Sequence, residues 1–190
     1  KETIIFTHDK TTVDKTIHYK TVDFYNDSSS VLGQLSFSIV KKGNSPESEN
    51  SFDVNLPNAE FDISVKSLKT HSILVNETRK TSSTGRISIT IPGIELKDGE
   101  TETLEVTLRE TSVPAGYVKP TQQMKFNIVA ENSNGLIRLR GDASSIQQGD
   151  FPYVDISTGV TTLTATLGNK LELGDIVITK TDKDSGDTVM

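Results

Sequence analysis

The sequence has no cysteine, no tryptophan and only three histidines among its 190 residues. It also has no apolar run of about 18 residues, so nothing in it is expected to insert in a membrane. Without cysteine there is no disulfide framework, and a chain this polar needs another reinforcement or a well-packed core. His8 and His18 have no carboxylate or second histidine at ligand spacing, which argues against a metal site. No Ser-His-Asp ordering and no phosphate-cradling glycine loop is present, so neither a turnover enzyme nor a cofactor is expected. The net charge is −6, with no basic stripe and no set of stacking aromatics, which argues against nucleic acid as a partner. What is abundant is threonine, serine, valine and isoleucine, the composition of a polar β-rich protein with room for one large or two small domains. The chain opens on Lys-Glu-Thr without a signal peptide and is read as an excised piece of a longer protein.

Period-2 alternation marks the strands, and three of them continue onto a polar residue. Leu104, Val106 and Leu108 share a face, and the next inward position is Glu110, just before Val113-Pro114-Ala115-Gly116. A lone buried carboxylate is costly, so Glu110 is expected to be neutral, paired or given a chemical task, unless the strand end reaches water. Leu35, Phe37 and Ile39 lead in the same way to Lys41, whose stem could also carry its amine out to solvent. Lys42 points to the other face. Leu163, Ala165 and Leu167 lead to Asn169, and Gly168 leaves room for another group to approach. Asn127 faces away from Met124, Phe126 and Ile128 and is a weak candidate for any core role.

Further strands are expected at 4–6, 16–26, 63–65, 73–75, 87–91 and 136–139, with turns at Thr84-Gly85, Pro92-Gly93 and 97–99. Residues 43–51 read as a loop. Residues 141–159, rich in glycine, serine and glutamine, read as an inserted or embellished loop in which Phe151 and Tyr153 are candidate ligand contacts.

The stretch Leu108-Arg109-Glu110-Thr111-Ser112-Val113-Pro114-Ala115-Gly116-Tyr117 resembles the "E-box" of collagen-adhesin B-type (CnaB) domains, which build stalks and pilins on Gram-positive cell surfaces. Leu56-Pro57-Asn58-Ala59-Glu60-Phe61 is similar to that family's Leu-Pro-Gly-Ala-x-Phe strand opening, with Asn58 where glycine is usual; asparagine is the next best residue at positive φ. Ala165-Thr166-Leu167-Gly168-Asn169-Lys170 resembles its closing Val-x-Val-x-Asn-Lys. The resemblance implies an all-β, immunoglobulin-like or transthyretin-like β-sandwich. It also implies an isopeptide bond between a first-strand lysine and a last-strand asparagine, promoted by the E-box glutamate. The positions that match are Lys41, Asn169 and Glu110. Tyr117-Val118-Lys119-Pro120 departs from the pilin lysine motif, and Leu56-Pro57-Asn58-Ala59 is not a sortase sorting signal.

The two ends of the chain repeat one pattern. An inward Asn26 precedes a short linker, a glycine and a strand ending on Lys41; an inward Asn169 precedes a short linker, Gly174 and a strand ending on Lys180. Tandem modules would produce this repeat. Residues 1–32 are therefore read as the end of one module, 33–173 as a complete module, and 174–190 as the first strand of the next. Asn26 and Lys180 are the neighbouring-module equivalents of the acceptor and donor.

If Lys41, Glu110 and Asn169 point into one core, burial lowers the lysine pKa and raises that of the glutamate, giving a neutral amine and a protonated carboxyl. Glu110 is then expected to hydrogen-bond the Asn169 carbonyl, stabilise the oxyanion and carry a proton to the departing ammonia. The reaction would occur once per chain, without turnover. The expected role is a structural stalk module of an extracellular bacterial surface protein, with adjacent modules of the same polypeptide as partners. The alternative is an adhesive module that binds a host extracellular protein or glycan through 141–159.

Overall fold

The computed structural model describes residues 30–159, 162–172 and 174. The strands expected at 4–6 and 16–26, Asn26 and Lys180 lie outside the described residues, as does most of the two end segments 1–32 and 174–190.

Among the described residues ten strands follow one another: β1 (Val31–Ser45), β2 (Ser48–Asn55), β3 (Glu60–Ser67), β4 (Ile73–Lys80), β5 (Arg86–Leu96), β6 (Thr101–Ser112), β7 (Met124–Ser133), β8 (Leu136–Gln147), β9 (Tyr153–Thr158) and β10 (Leu163–Asn169). They form two five-stranded sheets, and the fold is the all-β sandwich expected from the sequence. One sheet runs β4-β3-β6-β7-β8. The other runs β2-β1-β10-β9, with β5 also paired to β1.

β1 is long enough to have two successive neighbours on one side. Val31 to Val40 pair with β5, and Lys42 to Ser45 pair with β2, so the neighbour changes at Lys41. On its other side β1 lies parallel to β10, with Lys41 opposite Leu167 and Gly43 opposite Asn169. First and last strands of the sandwich are thus side by side and run the same way.

The alternating apolar positions all face between the sheets. Leu35, Phe37 and Ile39 of β1 and Ala165 and Leu167 of β10 meet Phe61, Ile63 and Val65 of β3, Leu104, Val106 and Leu108 of β6, and Phe126 and Ile128 of β7. Phe37 and Phe126 pack edge-to-face across the gap, centroids 6.4 Å apart. Asn58 takes φ 61°, the left-handed conformation expected of a residue standing in for glycine.

Three expectations are corrected. Residues 43–51 are not a loop: β1 continues to Ser45, and only a two-residue turn separates it from β2. Pro92-Gly93 is not a turn either. It lies within β5, at the point where the β1–β5 register shifts, a position where a strand tolerates proline. Residues 141–159 are not a loop for most of their length: they belong largely to β8 and β9, two edge strands of the sandwich.

Candidate functional site

The polar ends of three apolar strand faces converge. Lys41 comes from β1, Asn169 from β10 and Glu110 from β6 in the opposite sheet. Lys41 and Asn169 are fully buried and Glu110 is 2% exposed. The Lys41 amine donates a hydrogen bond to Asn169 Oδ1. Lys41 Nζ lies 3.4 Å from Glu110 Oε2, and Asn169 Nδ2 donates to that same oxygen at 2.9 Å. Glu110 Oε1 is buried with no hydrogen-bond partner among the described residues. Leaving that oxygen unpaired costs less on a neutral carboxyl than on a carboxylate.

The backbone fixes each member. The Lys41 amide donates to Gly85 O at 2.7 Å, and its carbonyl accepts from Leu56 N at 3.0 Å, so Lys41 is held from both sides at the point where β1 changes neighbours. Gly85 has φ +71°, and a Cβ there would lie 2.7 Å from the Lys41 carbonyl, so any other residue would displace that carbonyl. Phe61 of β3 stands opposite Glu110 in the sheet register. After the Val-Pro-Ala-Gly turn, Gly116 and Val118 pair with Glu172 and Lys170, which ties the E-box turn to the chain leaving β10. The Tyr117 hydroxyl donates to Asn44 O at 3.3 Å, and the Asn44 side chain accepts from Leu171 N at 2.6 Å.

Electrostatically the site is a low-dielectric pocket. Burial lowers the Lys41 pKa from 10.5 to about 8, against the opposing pull of Glu110. Burial raises the Glu110 pKa above the usual carboxylate range, with Lys41 and Asn169 opposing. Two aromatic rings line the pocket: the Lys41 amine lies 5.2 Å from the centroid of Phe151 and 6.0 Å from that of Phe61.

The geometry suits an amine attacking an amide. The nucleophile, the acceptor and an acid-base group share one dry pocket, and the fold supplies their orientation. One atomic detail differs from the sequence reading. The sequence points Glu110 at the Asn169 carbonyl, but its carboxyl accepts from the amide nitrogen instead. The carboxyl therefore lies within proton-transfer distance of that nitrogen, while the carbonyl oxygen meets the amine.

Lys42 and Asn127, set aside from the sequence, and the candidate contacts Phe151 and Tyr153 lie as follows. Lys42 points away and reaches Asp53 O at 3.2 Å, and Asn127 lies on the partly exposed face of β7. Phe151 is 2% exposed beside Lys41, so it is a wall of the pocket and not the ligand contact expected. Tyr153 is 37% exposed and stacks on Phe52, with ring centroids 5.2 Å apart. Phe61 and Gly85 carry no local signal in the sequence of their part in the site. Phe151 stands out in its polar segment as an aromatic residue, but nothing local marks it as facing inward.

The family model described as "SpaA: Prealbumin-like fold domain" matches residues 26–142. No curated protein matches the chain. Among solved structures, two crystal structures of the C-terminal fragment of pilus adhesin SpaC from Lactobacillus rhamnosus GG, one of them iodide-soaked, are similar at 16% identity, with TM-scores of 0.39 and 0.36. The similarity covers 77% and 74% of this chain and 48% and 47% of those chains. The chain thus spans about half the length of the solved structures it matches.

Proposed function

The chain belongs to the SpaA prealbumin-like-fold domain family, and from that premise we propose that it is a stalk module of a bacterial pilus or cell-surface adhesin, locked by a self-formed Lys41–Asn169 isopeptide bond. The convergence of Lys41, Glu110 and Asn169 in one dry pocket, each from a different strand, carries this reading. The Lys41 amine attacks Asn169 Cγ, a C–N bond forms, and the amide nitrogen departs as ammonia. Protonated Glu110 gives its proton to the leaving nitrogen and takes back the one that Lys41 sheds. The event happens once per chain.

The adhesive alternative drew on Phe151 and Tyr153. With Phe151 packed against Lys41 and 141–159 largely built into the sandwich, the stalk reading is the better supported.

Intact mass tests the bond. The purified chain is expected to weigh one ammonia less than its sequence, and Lys41→Ala and Asn169→Ala each restore the full mass. Asn127→Ala leaves the deficit in place. An undiminished wild-type mass would overturn the cross-link and leave the fold untouched.

The rate of joining should depend on pH in a way fixed by the two shifts. The reacting state needs a neutral Lys41 and a protonated Glu110, so the pair must hold one proton in total. Below the raised Glu110 pKa a second proton keeps the amine charged. Above about 8 the pair loses its last proton and with it the acid. Joining during refolding is therefore expected to be fastest between these limits and to fall as pH rises through about 8. A rate that keeps climbing to pH 10 would show that Glu110 acts without its proton.

A further inference from the structure

The turn between β8 and β9 carries one buried residue in a run of exposed ones. Residues 147–150 and 152–153 are exposed, and Phe151 among them is 2% exposed. Its ring covers the Lys41 amine, yet neighbours in its own turn give it no apolar support. Its ring packs into the hydrophobic core cluster, and polar contacts of the turn fix the backbone that carries it. The Asp150 carboxylate accepts three hydrogen bonds from the segment between the E-box turn and β7: Thr121 N at 2.8 Å, Thr121 Oγ1 at 2.7 Å and Gln122 N at 2.9 Å. The Gln148 side-chain amide donates to Phe151 O and closes the turn on itself.

We propose that this turn is a plug over the Lys41 amine, and that Asp150 is its positioning residue: by clamping the turn to Thr121 and Gln122, it seats Phe151 and keeps water out of the Lys41–Glu110–Asn169 pocket. The proposal deepens the cross-linking reading and rests on it. Asp150 touches none of the reacting atoms, so its effect passes through Phe151. The clamp is strong for an exposed group. Desolvation alone would raise the Asp150 pKa, but the Thr121 and Gln122 donors outweigh it and hold the carboxyl below its ordinary value.

Loosening the plug hydrates Lys41. Its pKa then climbs back toward 10.5, the shared proton stays on the amine, and the reacting tautomer becomes rarer by tenfold for each pKa unit recovered. The alkaline limb of the rate profile moves up with it. A turn that merely decorates the surface would change neither.

Unjoined chain recovered from inclusion bodies in guanidinium is refolded by dilution across pH 6 to 10. Ammonia loss is followed by intact mass and folding by tyrosine fluorescence. Asp150→Ala is expected to fold at the wild-type rate, to join at least tenfold more slowly at pH 7, and to carry its alkaline limb above that of wild type. Phe151→Ser is expected to match it, and Phe151→Leu, which keeps an apolar plug, to restore most of the rate. Asp150→Ala joining at the wild-type rate with an unmoved limb would overturn the proposal. A second measurement needs no cross-link: in Glu110→Gln protein, acetylation of Lys41 by an amine-reactive reagent is mapped by peptide mass. Adding Asp150→Ala is expected to accelerate it at least tenfold, and equal protection would overturn the plug. Wild-type chain that never loses ammonia would overturn the cross-linking reading instead, leaving the acetylation result to decide the plug.

Discussion

Protein carrying Glu110→Ala is expected to keep its full mass and to melt about 10–20 °C below the wild-type chain. Lys41 and Asn169, the residues the proposed bond would join, are 128 positions apart in sequence. Closing a covalent loop of that length removes chain entropy from the unfolded state, worth about 4–5 kcal/mol by the loop-closure relation that applies to disulfides. For a sandwich of this size each kcal/mol moves the melting temperature by roughly 2–4 °C. Glu110→Ala also strands the Lys41 amine in the core without its partner and leaves a small cavity, so its deficit includes more than the lost bond. Lys41→Met separates these contributions. It prevents the bond but puts an apolar side chain of similar reach where the amine lay, and it should recover part of the deficit. Equal melting temperatures for wild type and both variants would show that the bond, if formed, adds nothing to the fold.

The three polar members of the site were legible because period-2 alternation continues through them. Each sits one step beyond an apolar trio, on a strand with one face in the core, and a one-residue slip would have sent all of them to solvent. Parity gives the face of a strand but not the partner of an atom, which is why Glu110 was expected on the Asn169 carbonyl and faces its amide nitrogen instead. The edge strands were the least legible. β2 is solvated along most of its length and β8 has no fully buried residue, so neither shows a strong apolar alternation, and residues 43–51 and 141–159 read as loops. Pro92-Gly93 reads as a turn by composition, yet a register shift accommodates it within β5. Phe151 was hidden for a different reason. Its inward position depends on Asp150 reaching Thr121 and Gln122, some thirty residues away, and no local pattern encodes such a clamp.

Pulled by its two ends, the joined chain is expected to resist extension almost completely, while Lys41→Ala unravels. β1 and β10 are parallel neighbours, so force entering at Val31 and leaving beyond Asn169 shears one strand against the other. In the unjoined protein only backbone hydrogen bonds and side-chain packing oppose that shear. Once they fail, the chain between Lys41 and Asn169 extends by about 3.3–3.6 Å per residue, a lengthening of roughly 400 Å over the 128 positions that separate them. In the joined protein the load crosses from Lys41 to Asn169 through a covalent amide, and β2 to β9 lie outside the force path. Single-molecule pulling between handles at the termini reads the difference directly. Wild type should show no step of that length at forces that unravel Lys41→Ala. A full-length step in protein whose mass shows the missing ammonia would mean that the bond joins residues other than Lys41 and Asn169.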